Sequence, residues 1–165
     1  HVLASSSFHA ALRRLYALAQ SSFHPHALEV YCVTYKTNLQ PLLLTQERAL
    51  RIMFSPHPRN PVSFAFSLLK TFDIYKLLHY KIALLMHKLF FTNFDRLPSL
   101  RHRVTMYPLR WTMNTFQTPT PRTNYGLFTL AWFGSNVWNG QPHVLRHTTS
   151  FYSFKCNLKL HLCAQ

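Results

Sequence analysis

Four carboxylates are the first place to look for chemistry. Glu29, Glu47, Asp73 and Asp95 are the only acids of this 165-residue chain. Two-metal polymerase and nuclease chemistry needs carboxylates gathered around its ions, and acidic oxygens are the usual protein ligands of Mg²⁺. These four are far apart in sequence, and Asp73 reads better as a residue at a helix N-terminus, so no carboxylate-based site is expected. Zinc comes next. Cys156, His161 and Cys163 spell C-x₄-H-x-C, but zinc sites take four ligands in close pairs. The one other cysteine is Cys32. Core-facing or free thiols on a helix are the expected reading. His24 and His26 flank Pro25 and read as loop. His79 and His87 read as polar-face histidines of a helix. A nucleophile would need an oriented histidine. The chain has neither a G-x-S-x-G elbow nor a glycine-rich phosphate loop.

What remains is charge. Eighteen Lys and Arg stand against four acids, a formal net charge of +14, and no acid follows Asp95. Such a balance implies a polyanionic partner. The bases are scattered rather than run together, which fits a folded basic surface better than a basic tail. Between residues 96 and 122 arginines alternate with aromatics. Basic side chains suit phosphates and aromatic rings suit stacked bases. Arg101, Arg103, Arg110, Arg122, Lys155 and Lys159 are the expected phosphate contacts. Tyr107 and Trp111 are the expected stacking residues. The alternative is that the aromatics are core and the arginines merely solvated. Membrane-surface binding by the helix near 72–91 fits less well, because its polar face mixes Tyr75, His79 and Tyr80 with lysines. Lys76, Lys81 and Lys88 also break the apolar stretch from Ile74 to Phe94, which makes it a poor membrane span.

These residues need elements to position them. Apolar spacing predicts helices over 4–21, 40–54, 62–69, 72–91, 143–148 and 150–163. Pro41 suits the first turn of the second of these. The stripe Ile74, Leu77, Leu78, Ile82, Leu85 and Leu89 marks the core face of the longest. Thr71 or Asp73 caps it, and Ser150 caps the last, whose apolar face is Phe151, Phe154, Leu158 and Leu162. Four prolines between 93 and 121 predict a long basic loop. All three glycines, Gly126, Gly134 and Gly140, and two of the three tryptophans, Trp132 and Trp138, fall between Pro121 and Pro142. Phe128, Leu130 and Trp132 alternate with small residues, a short strand signal. Trp138 and Tyr125 are expected to be structural rather than ligand contacts. The expected fold is mainly α: an irregular helical bundle with one short strand or turn segment near 125–134 and a long basic loop near 93–121.

Four blocks of sequence carry a resemblance. They are Gln46-Glu47-Arg48-Ala49-Leu50-Arg51-Ile52, Leu68-Leu69-Lys70-Thr71-Phe72-Asp73-Ile74-Tyr75-Lys76, Arg122-Thr123-Asn124-Tyr125-Gly126 with Trp138-Asn139-x-x-Pro142, and Ser150-Phe151-x-x-Phe154-Lys155. In this order they resemble the C-terminal, post-palm region of non-LTR (LINE-type) retrotransposon reverse transcriptases of the jockey-like group. The family usually has Gly-Pro where this chain has Gly134-Ser135, and acids after the Trp-Asn motif that are missing here.

The resemblance implies that residues 1–56 are a thumb-side helical segment and residues 57–165 a post-thumb C-terminal region of a larger RNA-directed DNA polymerase. The family's Tyr-x-Asp-Asp pair has no counterpart in this chain, so no catalytic residue carries over. No catalysis by this chain alone is expected, and Mg²⁺ is expected only in the missing palm. The implied partners are template RNA, target DNA and the rest of the reverse transcriptase, with no membrane. An initial His1 in place of Met fits a truncated chain. Three cysteines without a disulfide framework fit a reducing, intracellular setting, nuclear or cytoplasmic rather than secreted. The alternative is a non-functional transposon remnant, or a basic interaction protein with no activity of its own.

Overall fold

The computed structural model describes residues 36–54, 62–69, 71–92, 100–104, 106 and 114–164. The expected helix over 4–21 and the expected boundary between 56 and 57 lie outside these residues. The described fold is mainly α, an irregular helical bundle without a sheet. Its helices are α1 (Lys36–Phe54), α2 (Ser63–Leu69), α3 (Ile74–Phe91), α4 (Leu130–Asn139), α5 (His143–Arg146) and α6 (Phe151–Ala164). A 3-10 helix, Asn124–Phe128, leads into α4.

The bundle is built on α3. Asp73 caps it, its carboxylate accepting a 2.7 Å hydrogen bond from the Lys76 backbone N–H. That satisfies one of the four N–H groups a helix start leaves open. Ile74, Leu78, Ile82, Ala83, Met86 and Leu89 are buried. α1, α4 and α6 all pack on this helix. From α6 come Phe154, Leu158 and Leu162, at the spacing expected of one helix face; all three are buried. Leu39 of α1 joins the same core. A second, smaller cluster of Leu50, Val62, Ala65 and Leu69 seats α2 beside the end of α1. The Gln46 side chain links α1 to the start of α3 by donating to the Phe72 carbonyl at 2.8 Å.

Three expectations are corrected. α1 begins at Lys36, so Pro41 lies inside the helix rather than in its first turn. A proline there lacks the N–H that would complete the ladder. The strand or turn expected near 125–134 is the 3-10 helix followed by the first half of α4. Thr129 is a helix N-cap, its hydroxyl accepting from the Trp132 N–H at 3.4 Å. Gly134 does not punctuate; it lies within α4. None of the three glycines has positive φ. Gly134 instead answers a close approach: a Cβ there would lie 2.6 Å from Met86 Sδ and 3.0 Å from Leu130 Cδ1. Third, His87 is not on a polar face. It is buried in α3 among Phe91, Phe151, Trp138 and Phe154.

The end of α4 holds the irregular segment that follows residue 113. Trp138 is fully buried, and its indole N–H donates to the Asn114 carbonyl at 2.8 Å. Asn139 pairs with the backbone of Phe116 in both directions: it accepts from the N–H at 2.9 Å and donates to the carbonyl at 2.9 Å. Asn114 has φ 54°, a left-handed conformation that asparagine tolerates better than most residues.

Asn139→Asp keeps the size of the side chain but turns its donor into an acceptor facing the Phe116 carbonyl. Leaving a buried backbone group unpaired costs roughly 1–3 kcal/mol. Chemical denaturation of the variant at neutral pH is expected to show a loss in that range. Asn139→Gln, which is longer by a methylene and retains both functions, is expected to lose less.

Candidate nucleic-acid interface

The expected contact residues fall in three places. Arg101 and Arg103 flank His102 in an extended segment that pairs with 115–117. The Arg103 N–H donates to the Thr115 carbonyl at 3.0 Å, and the Gln117 N–H donates to the Arg101 carbonyl at 2.7 Å. His102 and Phe116 form the single antiparallel bridge among the described residues. Leu100, just before, is buried in the main core and anchors the segment. Successive side chains of extended backbone alternate in direction. The His102 ring accordingly stacks on Phe116, centroids 5.6 Å apart and planes at 15°, and meets Phe90 edge-on at 4.5 Å. The two arginines on either side are exposed.

Arg122 is exposed just before the 3-10 helix. Lys155 and Lys159 are exposed on α6, beside the face formed by Phe154, Leu158 and Leu162. Their i, i+4 spacing sets them one above the other. Tyr152, 75% exposed, and Leu160, 70% exposed, are exposed apolar side chains of the same helix. Tyr107, Arg110 and Trp111 lie outside the described residues. The structure therefore joins Arg101 with Arg103 and Lys155 with Lys159. It does not gather the four into one pocket. Tyr125 is 79% exposed, which corrects the expected structural role for that residue; Trp138 has that role.

Of the described carboxylates, Glu47 is on α1, and Asp73 caps α3 and lines a cleft that also includes Lys159. Among the described residues no three His, Cys, Asp or Glu side chains gather as a metal site would need. Cys156 and Cys163 are free and exposed. No described helix is long and apolar enough to cross a membrane.

Sequence reasoning missed two buried polar groups, His87 and Arg146. The His87 ring stacks on Phe154 at 4.4 Å, and its Nε2 lies 2.8 Å from the Thr148 carbonyl. A ring nitrogen facing a carbonyl must carry the proton. Burial pushes the His87 pKa down, and the Thr148 bond opposes that in part. Burial also lowers His102. Arg146 is buried in α5 with its Nε donating to the Gln141 carbonyl at 3.1 Å; burial lowers its pKa from the ordinary guanidinium value. A helical wheel that counts position rather than residue type would have placed His87 inside, one turn from Ala83.

Comparison with family models, with curated proteins and with solved structures gave no match.

The histidines set a pH dependence. Both folded-state pKa values lie below the ordinary value, so the unfolded chain binds protons more readily. Stability is then present above about pH 6.5 and is lost as pH falls below it, by up to about 1.4 kcal/mol per pH unit for each proton. Urea denaturation between about pH 4 and 7 is expected to show this acid-side slope. His87→Gln, whose amide can still donate to the Thr148 carbonyl, is expected to flatten it, and the remainder is assigned to His102. An unchanged slope in His87→Gln would mean that His87 takes up its proton equally in both states.

Proposed function

We propose that this chain is a post-palm piece of a non-LTR retrotransposon reverse transcriptase of the jockey-like group. Its own part is to grip template RNA or target DNA through the phosphate backbone, with no catalysis of its own. The parentage rests on the four sequence blocks. The observation that carries the gripping role is the charge: +14 in all, with Arg101, Arg103, Arg122, Lys155 and Lys159 exposed. Exposed cations in such excess over acids suit a polyanion. Arg101 and Arg103 are the best positioned of these. The pairing with 115–117 fixes their backbone, so less conformational freedom is lost on contact. The reading needs no base-specific contact. Phosphate contacts set affinity and position, not sequence.

The family's motif pairs supply a further structural reading within this proposal. Trp138 and Asn139 brace the segment that backs Arg101 and Arg103, so the resembled Trp-Asn motif would serve as scaffold for a basic surface.

Fluorescence anisotropy with single-stranded RNA across a salt series tests the reading. The logarithm of the binding constant is expected to fall linearly with the logarithm of salt concentration, by about 0.7 per phosphate neutralised. Arg101→Ala with Arg103→Ala is expected to weaken binding and to reduce that slope by about 1.4. Lys155→Ala with Lys159→Ala tests α6 in the same way. A response flat in salt would sink the reading. Equal affinity for heparin and RNA, with no change in the arginine variants, would instead favour a remnant that binds any polyanion. A Tyr-x-Asp-Asp palm encoded in frame upstream of His1 would test the parentage separately.

A further inference from the structure

A cleft of about 810 Å³ opens between α2, the start of α3 and the second half of α6. Its size is within the range of small-ligand sites, which are mostly apolar with a few placed polar groups. Phe66, Phe72, Leu160 and Leu162 supply apolar wall. The cations are Lys76 from α3 and Lys159 from α6. Lys76 Nζ reaches the Leu162 carbonyl at 3.4 Å, a long bond that holds the amine across the cleft toward α6. Among the described residues the one carboxylate in the lining is Asp73, and its Oδ1 is engaged by the Lys76 N–H as the helix cap. Cys156 and Cys163, both free, also line the cleft.

We propose that this cleft binds an amphipathic anion, a single long alkyl chain ending in a carboxylate. The walls take the chain and the two lysines take the charge. Leu160 and Leu162 on α6 give an alkyl chain an aliphatic wall facing Phe66 and Phe72. A second copy of this chain is a poor occupant, because it brings the same excess of positive charge. Of the residues in the nucleic-acid reading, the cleft shares Lys159 and none of the arginines.

The thiols make the test direct. The probes are decanoate, dodecanoate and tetradecanoate, competed against a polarity-sensitive fluorescent fatty acid on the full chain. Affinity is expected to rise with chain length, by up to about fourfold per methylene. Dodecanoate is expected to slow iodoacetamide labelling of Cys156 and Cys163, read separately by mass spectrometry, and to bind more tightly than dodecanol. Leu160 is 70% exposed, so Leu160→Asp should fold normally by circular dichroism while losing about tenfold in affinity, a change of one log unit in Kd. Lys76→Gln with Lys159→Gln should erase the preference for carboxylate over alcohol. The proposal is overturned by absent displacement, by affinity that ignores chain length, or by labelling that dodecanoate leaves unchanged. Displacement of the fluorescent fatty acid by single-stranded RNA would also overturn it, making the cleft part of a nucleic-acid surface.

Discussion

The last turn of α4 holds the described structure together through two adjacent side chains. Trp138 faces the core and sends its indole N–H to the Asn114 carbonyl; Asn139, next along the helix, turns to the side and pairs with both backbone groups of Phe116. Adjacent helical positions point about 100° apart, so one can pack while the other hydrogen-bonds. The consequence reaches beyond α4. The Phe116 backbone is met on one side by the Asn139 amide, and its neighbours Thr115 and Gln117 pair with Arg103 and Arg101 on the other. A helix side chain thus does the work of a sheet neighbour, and a segment too irregular for a sheet is fixed in place. Trp138 adds the packing. Its ring lies against Phe90, Phe116 and Phe154, and an indole of this kind contributes roughly 150–250 Å² of burial.

This arrangement asks for close packing around α3. The helix has neighbours on several sides, so small residues are needed where axes approach. Ala83 is fully buried, and Gly134 on α4 sits where Met86 leaves no room for a Cβ. His87 and Arg146 are both inside, and each meets a backbone carbonyl, of Thr148 and of Gln141; the buried Ser135 hydroxyl on α4 has no such partner. Burying a polar group without such a partner costs several kcal/mol on the least forgiving scales. The loop after α5 therefore does two things: it turns the chain into α6 and supplies the acceptor that lets a histidine occupy the aromatic core.

Much of the fold was legible. The positions of α3 and α6 followed from apolar residues at helical spacing, and Asp73 was recognisable as a cap. The strand expected over 128–132 failed for a physical reason. Alternation across three large residues is too short to separate a strand from the start of an amphipathic helix, and Thr129 in front of it is an equally good helix cap. Glycine misled in the same region. Its presence suggested a turn, whereas Gly134 lies where a Cβ would press on Met86 of α3, and no sequence pattern within α4 reveals that neighbour. For the candidate interface, Arg101 and Arg103 are exposed together with His102 and Val104; what fixes their backbone is the pairing with 115–117, which no pattern within 101–104 announces. That pairing depends on Asn139, which is distant in sequence.

The charge distribution separates what the fold needs from what it carries. Nearly all of the described core is uncharged, and Arg146 is held by backbone carbonyl contact within its own helical turn and loop. The exposed lysines of α6 could be exchanged for neutral residues without touching Phe154, Leu158 or Leu162. Yet a net charge of +14 works against compactness through self-repulsion. A chain selected for stability alone would gain from acids on its outer faces, where i, i+4 pairs of opposite sign stabilise a helix and pairs of like sign weaken it. Lys155 and Lys159 are such a like-charged pair. A polyanion along that face converts the repulsion into attraction, and anything that binds the folded state preferentially stabilises it. The excess positive charge is a cost to the isolated fold, one that an anionic partner of the kind proposed would offset.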